Sequence, residues 1–123
     1  MKIDFDLHPG TLTIAAYGPG WIRVRDRLIE CPCVISPSTV QTDLLPTQLS
    51  DLSWLHFEQL CSLSPEIILL GTGARQSFID YAIVRELAER GVGFEAMDTG
   101  AACRSFNILT GEERAVIAAL FML

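Results

Sequence analysis

Two stretches of the sequence place residues that can do chemistry directly after runs that predict buried strands. The first is "EIILLGTGARQSF", Glu66 to Phe78, in which Gly71 and Gly73 form a turn between a strand and the expected start of a helix. Free amides at a helix N-terminus, with the guanidinium of Arg75 beside them, are groups that bind phosphate. The stretch therefore has two interpretations: a phosphate-binding loop, or a turn that needs glycine only for its backbone angles.

This loop contains part of the known phosphate-binding motifs. A dinucleotide fingerprint requires a third glycine or an alanine where this sequence has Gln76, and a Walker loop requires four residues between its glycines and then lysine. Glu95 and Asp98 lie near the place of a ribose-binding acid, so nucleotide binding stays an alternative. The pattern favours the simpler interpretation, in which Gly71 and Gly73 take positive φ angles that let the strand turn.

The second stretch, "FEAMDTGAA", leads from an apolar strand into the tetrapeptide Asp98-Thr99-Gly100-Ala101. Aspartic proteases of the retroviral kind carry a catalytic aspartate in such a turn and pair two carboxylates across a dimer. Those enzymes are nearly all β, whereas this tetrapeptide follows a helix and a strand and precedes two further predicted helices. The pattern favours Asp98 or Thr99 as a cap for the next helix.

Four cysteines and two histidines are the other residues that bind metals or act as nucleophiles. No two cysteines are separated by two residues, the commonest spacing in zinc knuckles, and neither His8 nor His56 lies at ligand or nucleophile-motif spacing. In "ECPCVIS" the period of two places Cys31 and Cys33 on one face of a predicted strand, and Pro32 suggests a sheet edge. We therefore expect reduced, packed thiols that react slowly in the native state, and no metal or cofactor.

Composition limits the classes of partner. The chain has 123 residues, of which 50% are hydrophobic, and this predicts one globular domain over residues 1–123. Its formal charge of −6 predicts no broad basic surface for nucleic acid or anionic lipid. No apolar run approaches the roughly 20 residues of a membrane-spanning helix, and the N-terminus lacks the apolar core of a signal peptide. We expect a cytoplasmic protein without membrane insertion.

The first half of the chain predicts mainly strands. "TLTIAAY" and "WIRVRDRLIECPCVIS" have strand patterns, with the turn signal "GPG" between them and a hairpin turn at Arg25–Arg27. Two prolines and many Ser and Thr residues from Pro37 to Asp51 predict a long surface connection. Leu52 to Leu60 then predicts a short amphipathic helix that is capped by Ser50 or Asp51.

The second half predicts a βαβ unit followed by helices. "IILLG" and "VGFEAM" have the pattern of buried strands, and the helix between them begins with Ser77 and Asp80 as a capping box. Strands joined in this way are parallel, with a right-handed crossover. A short helix is expected from Ala101 to Asn107, and Thr110 with Glu113 predicts the start of another before the apolar tail "LFML" returns to the core.

Parallel strands of one unit end at the same edge of a sheet, so the glycine loop and the Asp98 turn should lie side by side. We call this edge the strand-end surface and regard it as the candidate surface for a partner or ligand. Its predicted members are Gly71, Thr72, Gly73, Arg75, Gln76, Ser77, Asp98, Thr99, Gly100, Ala101 and Ala102. We assign a catalytic role to none of them.

Several stretches together carry a resemblance that spans almost the whole chain. They are "ILLGTG" after a helix and a proline, "GVGFEAMDTGAACRSFNILTGEERAVIAAL", "TIAAYGPG" and "VISP". They resemble the family that contains mitochondrial NADH:ubiquinone oxidoreductase complex assembly factor 3 and its small bacterial and archaeal relatives. The resemblance implies a three-layer α/β fold with a central mixed β-sheet, helices and an added β-hairpin layer. It also implies, for the mitochondrial branch, an assembly role through protein contacts, and it supplies no catalytic residue.

The sequence therefore predicts a small protein that binds a partner, which we expect to be another protein, and that performs no chemistry. The alternative is a binder of an anion or nucleotide, or an enzyme, that uses the crevice between Gly71–Ser77 and Asp98–Ala102. We expect a monomer or a weak homodimer, with no nucleic acid, metal or cofactor bound.

Overall fold

The computed structural model describes residues 3–5 and 11–123 of the chain. These residues form two sheets, three α-helices and one short 3-10 helix. In chain order the elements are β1 (Ile3–Phe5), β2 (Ile14–Gly18), β3 (Trp21–Val24), β4 (Arg27–Ile29), β5 (Cys33–Ile35), β6 (Thr39–Gln41), the 3-10 helix (Leu49–Asp51), α1 (Trp54–Cys61), β7 (Ile67–Thr72), α2 (Tyr81–Glu89), β8 (Gly93–Met97), α3 (Thr99–Gly111) and β9 (Val116–Phe121).

The central sheet has six strands in the order β1-β6-β5-β9-β7-β8. Strand β9 lies inside it, antiparallel to β5 and parallel to β7. Strand β7 is in turn parallel to β8, so the predicted parallel pair of the βαβ unit is confirmed. All six residues of β9 are buried, as expected for a strand whose two faces and two edges are covered.

Alternation along the strands divides the apolar residues into two clusters, one on each face of the central sheet. One cluster joins the sheet to α3 and to the separate three-stranded sheet β2-β3-β4. The other joins the sheet to α1 and α2. In β9, for example, Ala118 belongs to the first cluster and Ala119 to the second. The expected three-layer α/β fold with a central mixed sheet and an added hairpin layer is confirmed.

The added layer consists of two consecutive hairpins that are fastened to α3. The turns fall at Pro19–Gly20 and at Arg25–Asp26, as the sequence predicts. The side chain of Asn107 pairs with the main chain of Ile14: its Oδ1 accepts from the Ile14 amide at 2.8 Å, and its Nδ2 donates to the Ile14 carbonyl at 2.9 Å. This amide satisfies main-chain groups of β2 as a neighbouring strand would, so it holds the layer against the helix.

The prediction of a long surface connection from Pro37 to Asp51 is wrong in part, because the segment contains β6 and the 3-10 helix. Ser36 makes the return to β6 possible. Its Oγ accepts the amides of Ser38 and Thr39 at 3.3 and 3.0 Å, which stabilises a tight turn after β5. Strand β6 then pairs antiparallel with β5.

The helix predicted from Leu52 begins later than expected. Its N-cap is Ser53, whose amide donates to His56 Nδ1 at 3.0 Å in a capping-box arrangement. The predicted caps Ser50 and Asp51 belong instead to the 3-10 helix. Among the described residues, no helix has the length and apolar character needed to cross a bilayer.

The end of the chain differs most from the sequence-based expectation. In place of a short helix over Ala101–Asn107 and a second from Thr110, the structure has one helix, α3, that runs from Thr99 to Gly111. The second predicted helix is wrong, because the run "VIAALF" is strand β9. A six-residue apolar run fits a buried strand and a buried helix equally well until its partners are known.

The cysteines are free, as expected, but Cys31 is placed differently from the prediction. Cys31 is exposed and precedes β5, so it does not share a strand face with Cys33. Strand β5 lies between β6 and β9, so the prediction of a sheet edge at Pro32 is also wrong. Cys33 and Cys103 are 0% and 1% exposed, and burial raises the pKa of the Cys103 thiol to about 12 and that of Cys33 further.

These positions predict three rates of thiol modification. In native protein an aromatic disulfide reagent should modify Cys31 rapidly and the partly buried Cys61 more slowly, because burial raises the pKa of the Cys61 thiol. Cys33 and Cys103 should react only after unfolding, because their thiols are buried and protonated. The release of thiolate from the reagent measures all three phases. The Cys31→Ser variant is the control and should lose only the rapid phase. A rapid phase that persists in this variant would contradict the assignment.

The same burial predicts a loss of stability at alkaline pH. Both buried thiols have a folded pKa above the unfolded value, so their contribution is complete below the unfolded pKa and is lost as pH rises towards the folded pKa. The free energy of unfolding should therefore fall above about pH 9, with a limiting slope of about 2.7 kcal/mol per pH unit for two thiols. Urea denaturation between pH 8 and roughly pH 11 measures it, and a flat profile would be inconsistent with the burial.

Candidate functional site

The two predicted segments of the strand-end surface meet where β7 and β8 end. The Thr99 amide donates to the carbonyl of Gly73 at 2.8 Å. The hydroxyl of Thr72 also lies 3.1 Å from the carbonyl oxygen of Met97, the last residue of β8. The glycine loop and the start of α3 are thus in direct contact.

The Thr99 hydroxyl joins three chain segments at this place. Its Oγ1 accepts the Gly73 amide at 2.8 Å and donates to the carbonyl of Phe121 at 2.6 Å. Thr99 is 0% exposed, so both hydrogen bonds are shielded from water. The loop after β7, the first residue of α3 and the end of β9 are therefore held by one buried side chain.

Close packing, and not a positive φ angle, explains the first glycine of the loop. Gly71 is the fifth residue of β7, and the expectation of a positive φ there is wrong. A Cβ atom at Gly71 would lie 2.9 Å from Thr99 Oγ1 and 2.9 Å from Leu120 Cδ2. Gly73 does have a positive φ of 96°, so the turn requires glycine at that position.

The amides of the glycine loop bond within the protein. The Gly73 amide donates to Thr99, and the Ser77 amide donates to Thr72 Oγ1 at 3.1 Å. The Thr72 hydroxyl also lies 2.5 Å from the Arg75 carbonyl, which folds the loop back on the strand. Two of the donors that a phosphate would need are consequently occupied.

Helix α2 begins after this loop and not within it. Its N-cap is Asp80, whose Oδ1 accepts from the Ala82 amide at 2.9 Å, so the predicted capping box that starts at Ser77 is wrong. The helix terminus carries a carboxylate of its own, and a second anion there would meet like charge. The strand, glycine turn and helix therefore do not form the continuous unit of a phosphate-binding loop.

Asp98 is the N-cap of α3, which confirms one of the two predicted capping roles. Its Oδ1 accepts from the Ala101 amide at 2.9 Å. The tetrapeptide that resembles a protease turn is thus the first turn of a helix. Among the described residues there is also no cluster of three His, Cys, Asp or Glu side chains suited to a metal ion.

The members of the strand-end surface differ in exposure. Gly71, Thr72, Gly73, Thr99, Gly100 and Ala102 are buried, whereas Ser77, Asp98 and Ala101 are partly exposed. Arg75 and Gln76 are exposed, and Gln76 Nε2 donates to the Ala96 carbonyl of β8 at 3.0 Å. A partner that approaches this edge would therefore meet side chains of the loop, while the buried members hold the loop in shape.

Two exposed aromatic residues next to the loop were not part of the predicted site. Phe78 is 92% exposed and Tyr81 is 71% exposed. Phe78, together with Leu49, Leu52 and Ile83, lines a shallow cavity of about 290 Å³ between the 3-10 helix and α2. The sequence could have indicated that Tyr81 is exposed, because Tyr81 lies outside the apolar stripe of α2. The exposure of Phe78 could not be predicted, because it depends on the path of the loop before α2.

The comparison with protein families gives a match over most of the chain. The family described as protein of unknown function (DUF498/DUF598) matches residues 14–121. A curated relative, NADH dehydrogenase [ubiquinone] 1 alpha subcomplex assembly factor 3 of Danio rerio, is 32% identical over 109 residues. The alignment covers 87% of this chain and 62% of that protein, so the chain spans less than two thirds of the relative's length.

Solved structures with similar sequences share the fold. A crystal structure of a Bordetella parapertussis protein is 36% identical, covers 93% of this chain and 98% of its own, and superposes with a TM-score of 0.85. A structure described as an outer membrane protein from Bartonella henselae is 33% identical, covers 93% of this chain and 97% of its own, and has a TM-score of 0.71.

The Thr99 hydrogen bonds predict a specific loss of stability. Thr99→Val keeps the shape of the side chain but leaves the Gly73 amide and the Phe121 carbonyl without their buried partner. The free energy of unfolding should fall by about 2–4 kcal/mol. Thr99→Ser keeps the hydroxyl and should cost only about 1 kcal/mol for the lost methyl group. Urea denaturation measures both variants, and an equal cost for the two would show that the hydroxyl is unimportant.

The contact at Gly71 predicts a second loss. Gly71→Ala should reduce the free energy of unfolding by about 1–3 kcal/mol, because the new methyl group overlaps Thr99 and Leu120 in a packed core. Gly111→Ala is the matched control, since a Cβ atom at that helical position meets nothing within 4 Å and alanine favours the helix by about 0.5–1 kcal/mol. Thermal denaturation compares them. A neutral Gly71→Ala would contradict the packing explanation.

Proposed function

This chain belongs to the family described as protein of unknown function DUF498/DUF598, and from that premise we propose that it is a non-enzymatic protein that binds another protein during assembly of a complex. The name of the zebrafish relative, an assembly factor of NADH dehydrogenase, supports an assembly role. The chain covers only 62% of that relative, so we do not propose that it binds the same partner as the relative.

The observation that carries the proposal is the contrast between the main chain and the side chains of the strand-end surface. The amides of Gly73 and Ser77 donate hydrogen bonds within the protein. The side chains of Arg75, Gln76 and Phe78, on the same loop, are exposed to solvent. A small anion binds mainly to main-chain amides, but a protein surface is recognised through projecting side chains. The loop therefore suits a protein partner better than a phosphate.

The chemistry of the exposed residues supports the same conclusion. Aromatic residues and arginine contribute a large share of the binding energy in protein interfaces, especially where they enter a dry pocket on the partner. Burial of a phenylalanine side chain contributes about 1.5–3 kcal/mol of free energy. Phe78 is 92% exposed, so a partner that covers it would bring almost all of this contribution to binding. The cavity beside Phe78 is lined by Leu49, Leu52 and Ile83 and can accept an apolar side chain in return.

We further propose that the protein acts in the cytoplasm, as a monomer or weak homodimer, without a nucleic-acid partner. The formal charge of −6 supports the last point, since affinity for nucleic acid depends on cationic groups that neutralise phosphates. The description of the Bartonella relative as an outer membrane protein makes flotation of cell membranes the direct check of the compartment. The protein should remain at the bottom of the gradient.

The proposed surface predicts which variants lose the partner. Wild-type protein expressed in its native cell should co-purify one protein in fixed stoichiometry, and Phe78→Ser should weaken the complex at least tenfold because an apolar anchor is lost. Its melting temperature should stay within about 1 °C of wild type, since Phe78 is exposed. Titration calorimetry with the purified partner measures the change in affinity.

Leu28→Ser is the control for this experiment. Leu28 is 55% exposed on β4 in the three-stranded sheet, and its replacement removes a comparable apolar group from another part of the surface. It should leave the complex intact. If Phe78→Ser binds the partner as well as wild type does, or if Leu28→Ser is the variant that fails, the interface is not formed by the strand-end surface together with the adjoining Phe78.

A further inference from the structure

Strand β8 forms one edge of the central sheet, so a neighbouring strand covers only one of its two sides. That neighbour is β7. The Gly93 amide, at the start of β8, donates to the carbonyl of Glu66 at 2.9 Å, and Gly93 is in register with Ile67 of β7. The main chain of Gly93 therefore faces β7.

This one hydrogen bond fixes the direction of every peptide group along β8. The main-chain groups of successive residues in a strand point to alternate sides. Gly93, Glu95 and Met97 consequently bond towards β7, in the register that the two strands have. The N–H and carbonyl groups of Phe94 and Ala96 point the other way, out of the edge of the sheet.

A side chain already uses one of these four outward groups. Gln76 Nε2 donates to the Ala96 carbonyl at 3.0 Å. The Phe94 N–H, the Phe94 carbonyl and the Ala96 N–H bond to no other described residue. A row of such groups at a sheet edge pairs readily with another strand. Because Gln76 belongs to the glycine loop, this row is also continuous with the strand-end surface.

The side chains of β8 determine which strand the edge can accept. Phe94 and Ala96 pack on the face that carries α1 and α2, where the Phe94 ring lies edge-on to Phe57. Glu95 points to the other face, is exposed and forms no ion pair with a described residue. Residues opposite each other on paired strands share a face. A matching segment therefore has apolar residues beside Phe94 and Ala96 and a basic residue beside Glu95.

A second copy of β8 does not meet these requirements. The register that pairs Phe94 of one copy with Ala96 of the other places Glu95 directly opposite Glu95. Like charges at opposite positions destabilise a strand pair, and each copy also carries a formal charge of −6. The charge of the edge favours a different protein with basic residues.

We propose that the free edge of β8 receives an extended segment of the protein partner, in which apolar and basic residues alternate, as an added strand of the central sheet. The main chain of this segment bonds to the three open groups of Phe94 and Ala96, and its basic side chain pairs with Glu95. The proposal rests on the proposed function, since it names the part of the protein partner that binds.

A short peptide of this pattern tests the edge without the partner. The capped peptide TVKVT can place its lysine beside Glu95 and its valines beside Phe94 and Ala96. In a titration followed by ¹H–¹⁵N spectra it should cause saturable shifts at the amides of these three residues. The peptide TVEVT, which brings like charge to Glu95, should bind more weakly. Absence of saturable shifts with TVKVT would overturn the proposal.

N-methylated forms of the peptide show whether main-chain hydrogen bonds hold it. Methyl groups on the two valine nitrogens block antiparallel addition, and a methyl group on the lysine nitrogen blocks parallel addition. Both forms keep the side chains and the charge of TVKVT. One of them should bind at least tenfold more weakly than TVKVT, and its identity gives the direction of the added strand. If both bind as well as TVKVT does, the peptide is not an added strand.

Ala96→Pro removes an outward N–H from the protein itself. Proline is tolerated on an edge strand where its nitrogen faces solvent, and no hydrogen bond to β7 is lost. This variant should bind TVKVT at least tenfold more weakly. Leu28→Pro, which introduces proline into the edge strand β4 of the other sheet, is the control and should bind the peptide normally. Unchanged affinity in Ala96→Pro would refute the proposal. If Ala96→Pro does not fold, the methylated peptides on wild-type protein decide.

The same variant separates this proposal from the proposed function. If the co-purified partner is lost in Phe78→Ser but retained in Ala96→Pro, strand addition is refuted and the protein-binding function remains. If the partner is lost in Ala96→Pro but retained in Phe78→Ser, strand addition is supported and Phe78 is not the anchor. We expect both variants to lose the partner, and Phe78→Ser alone to bind TVKVT normally, because the peptide covers β8 and not the Phe78 side chain.

Discussion

The buried hydroxyl of Thr99 is the contact on which the C-terminal edge of the central sheet depends. It bonds to the main chain of Gly73 after β7 and of Phe121 at the end of β9, while its own amide bonds back to Gly73. The loop, the helix and the strand cannot shift separately without leaving a buried polar group unpaired, which is costly in a dry interior. Gly71 permits this arrangement, because a larger residue would occupy the space of the Thr99 side chain.

This contact also decides what kind of surface the edge presents. In many α/β proteins the loop after a parallel strand leaves its amides free, and ligands bind there. Here two of those amides are used by Thr99 and Thr72, and the helix that follows is capped by the carboxylate of Asp80. What remains accessible is a row of side chains that includes Arg75 and the almost fully exposed Phe78. Among the described residues, two buried side-chain atoms have no hydrogen-bond partner, and both lie away from this edge: Gln41 Oε1 at the end of β6 and Thr110 Oγ1 near the end of α3.

The parts of the fold that were predictable from sequence depend on local signals. The parallel pair β7 and β8 follows from two apolar runs around a helix, and the Asp98 cap follows from its place directly before α3. The sequence predicts a helix where strand β9 forms, because the partners of β9, Cys33–Ile35 and Ile67–Thr72, are distant in sequence. A short apolar run carries no information about such partners.

The candidate site, like the fold, was predictable from the sequence only in part. Proximity of its two segments followed from the topology, but the burial of six of its eleven members could not be read from the sequence. From sequence, glycine at position 71 is explained equally well by a positive φ or by close approach. The structure decides for close approach, because φ is not positive there and a Cβ atom would overlap Thr99 and Leu120. The exposure of Phe78 and the missing partner of Gln41 are properties of tertiary packing, so no pattern of residue types marks them.

Amide hydrogen exchange at Gly73 is the measurement that tests the central claim most directly. If the Thr99 hydroxyl holds this loop closed, the amides of Gly73 and Thr99 should exchange only through global unfolding, with the same free energy as the most protected amides of β9. Addition of inorganic phosphate or ADP at millimolar concentration should leave the exchange of Gly73 unchanged. A Gly73 amide that exchanges rapidly in the free protein and becomes protected when phosphate or ADP is added would contradict this account and identify the loop as an anion site.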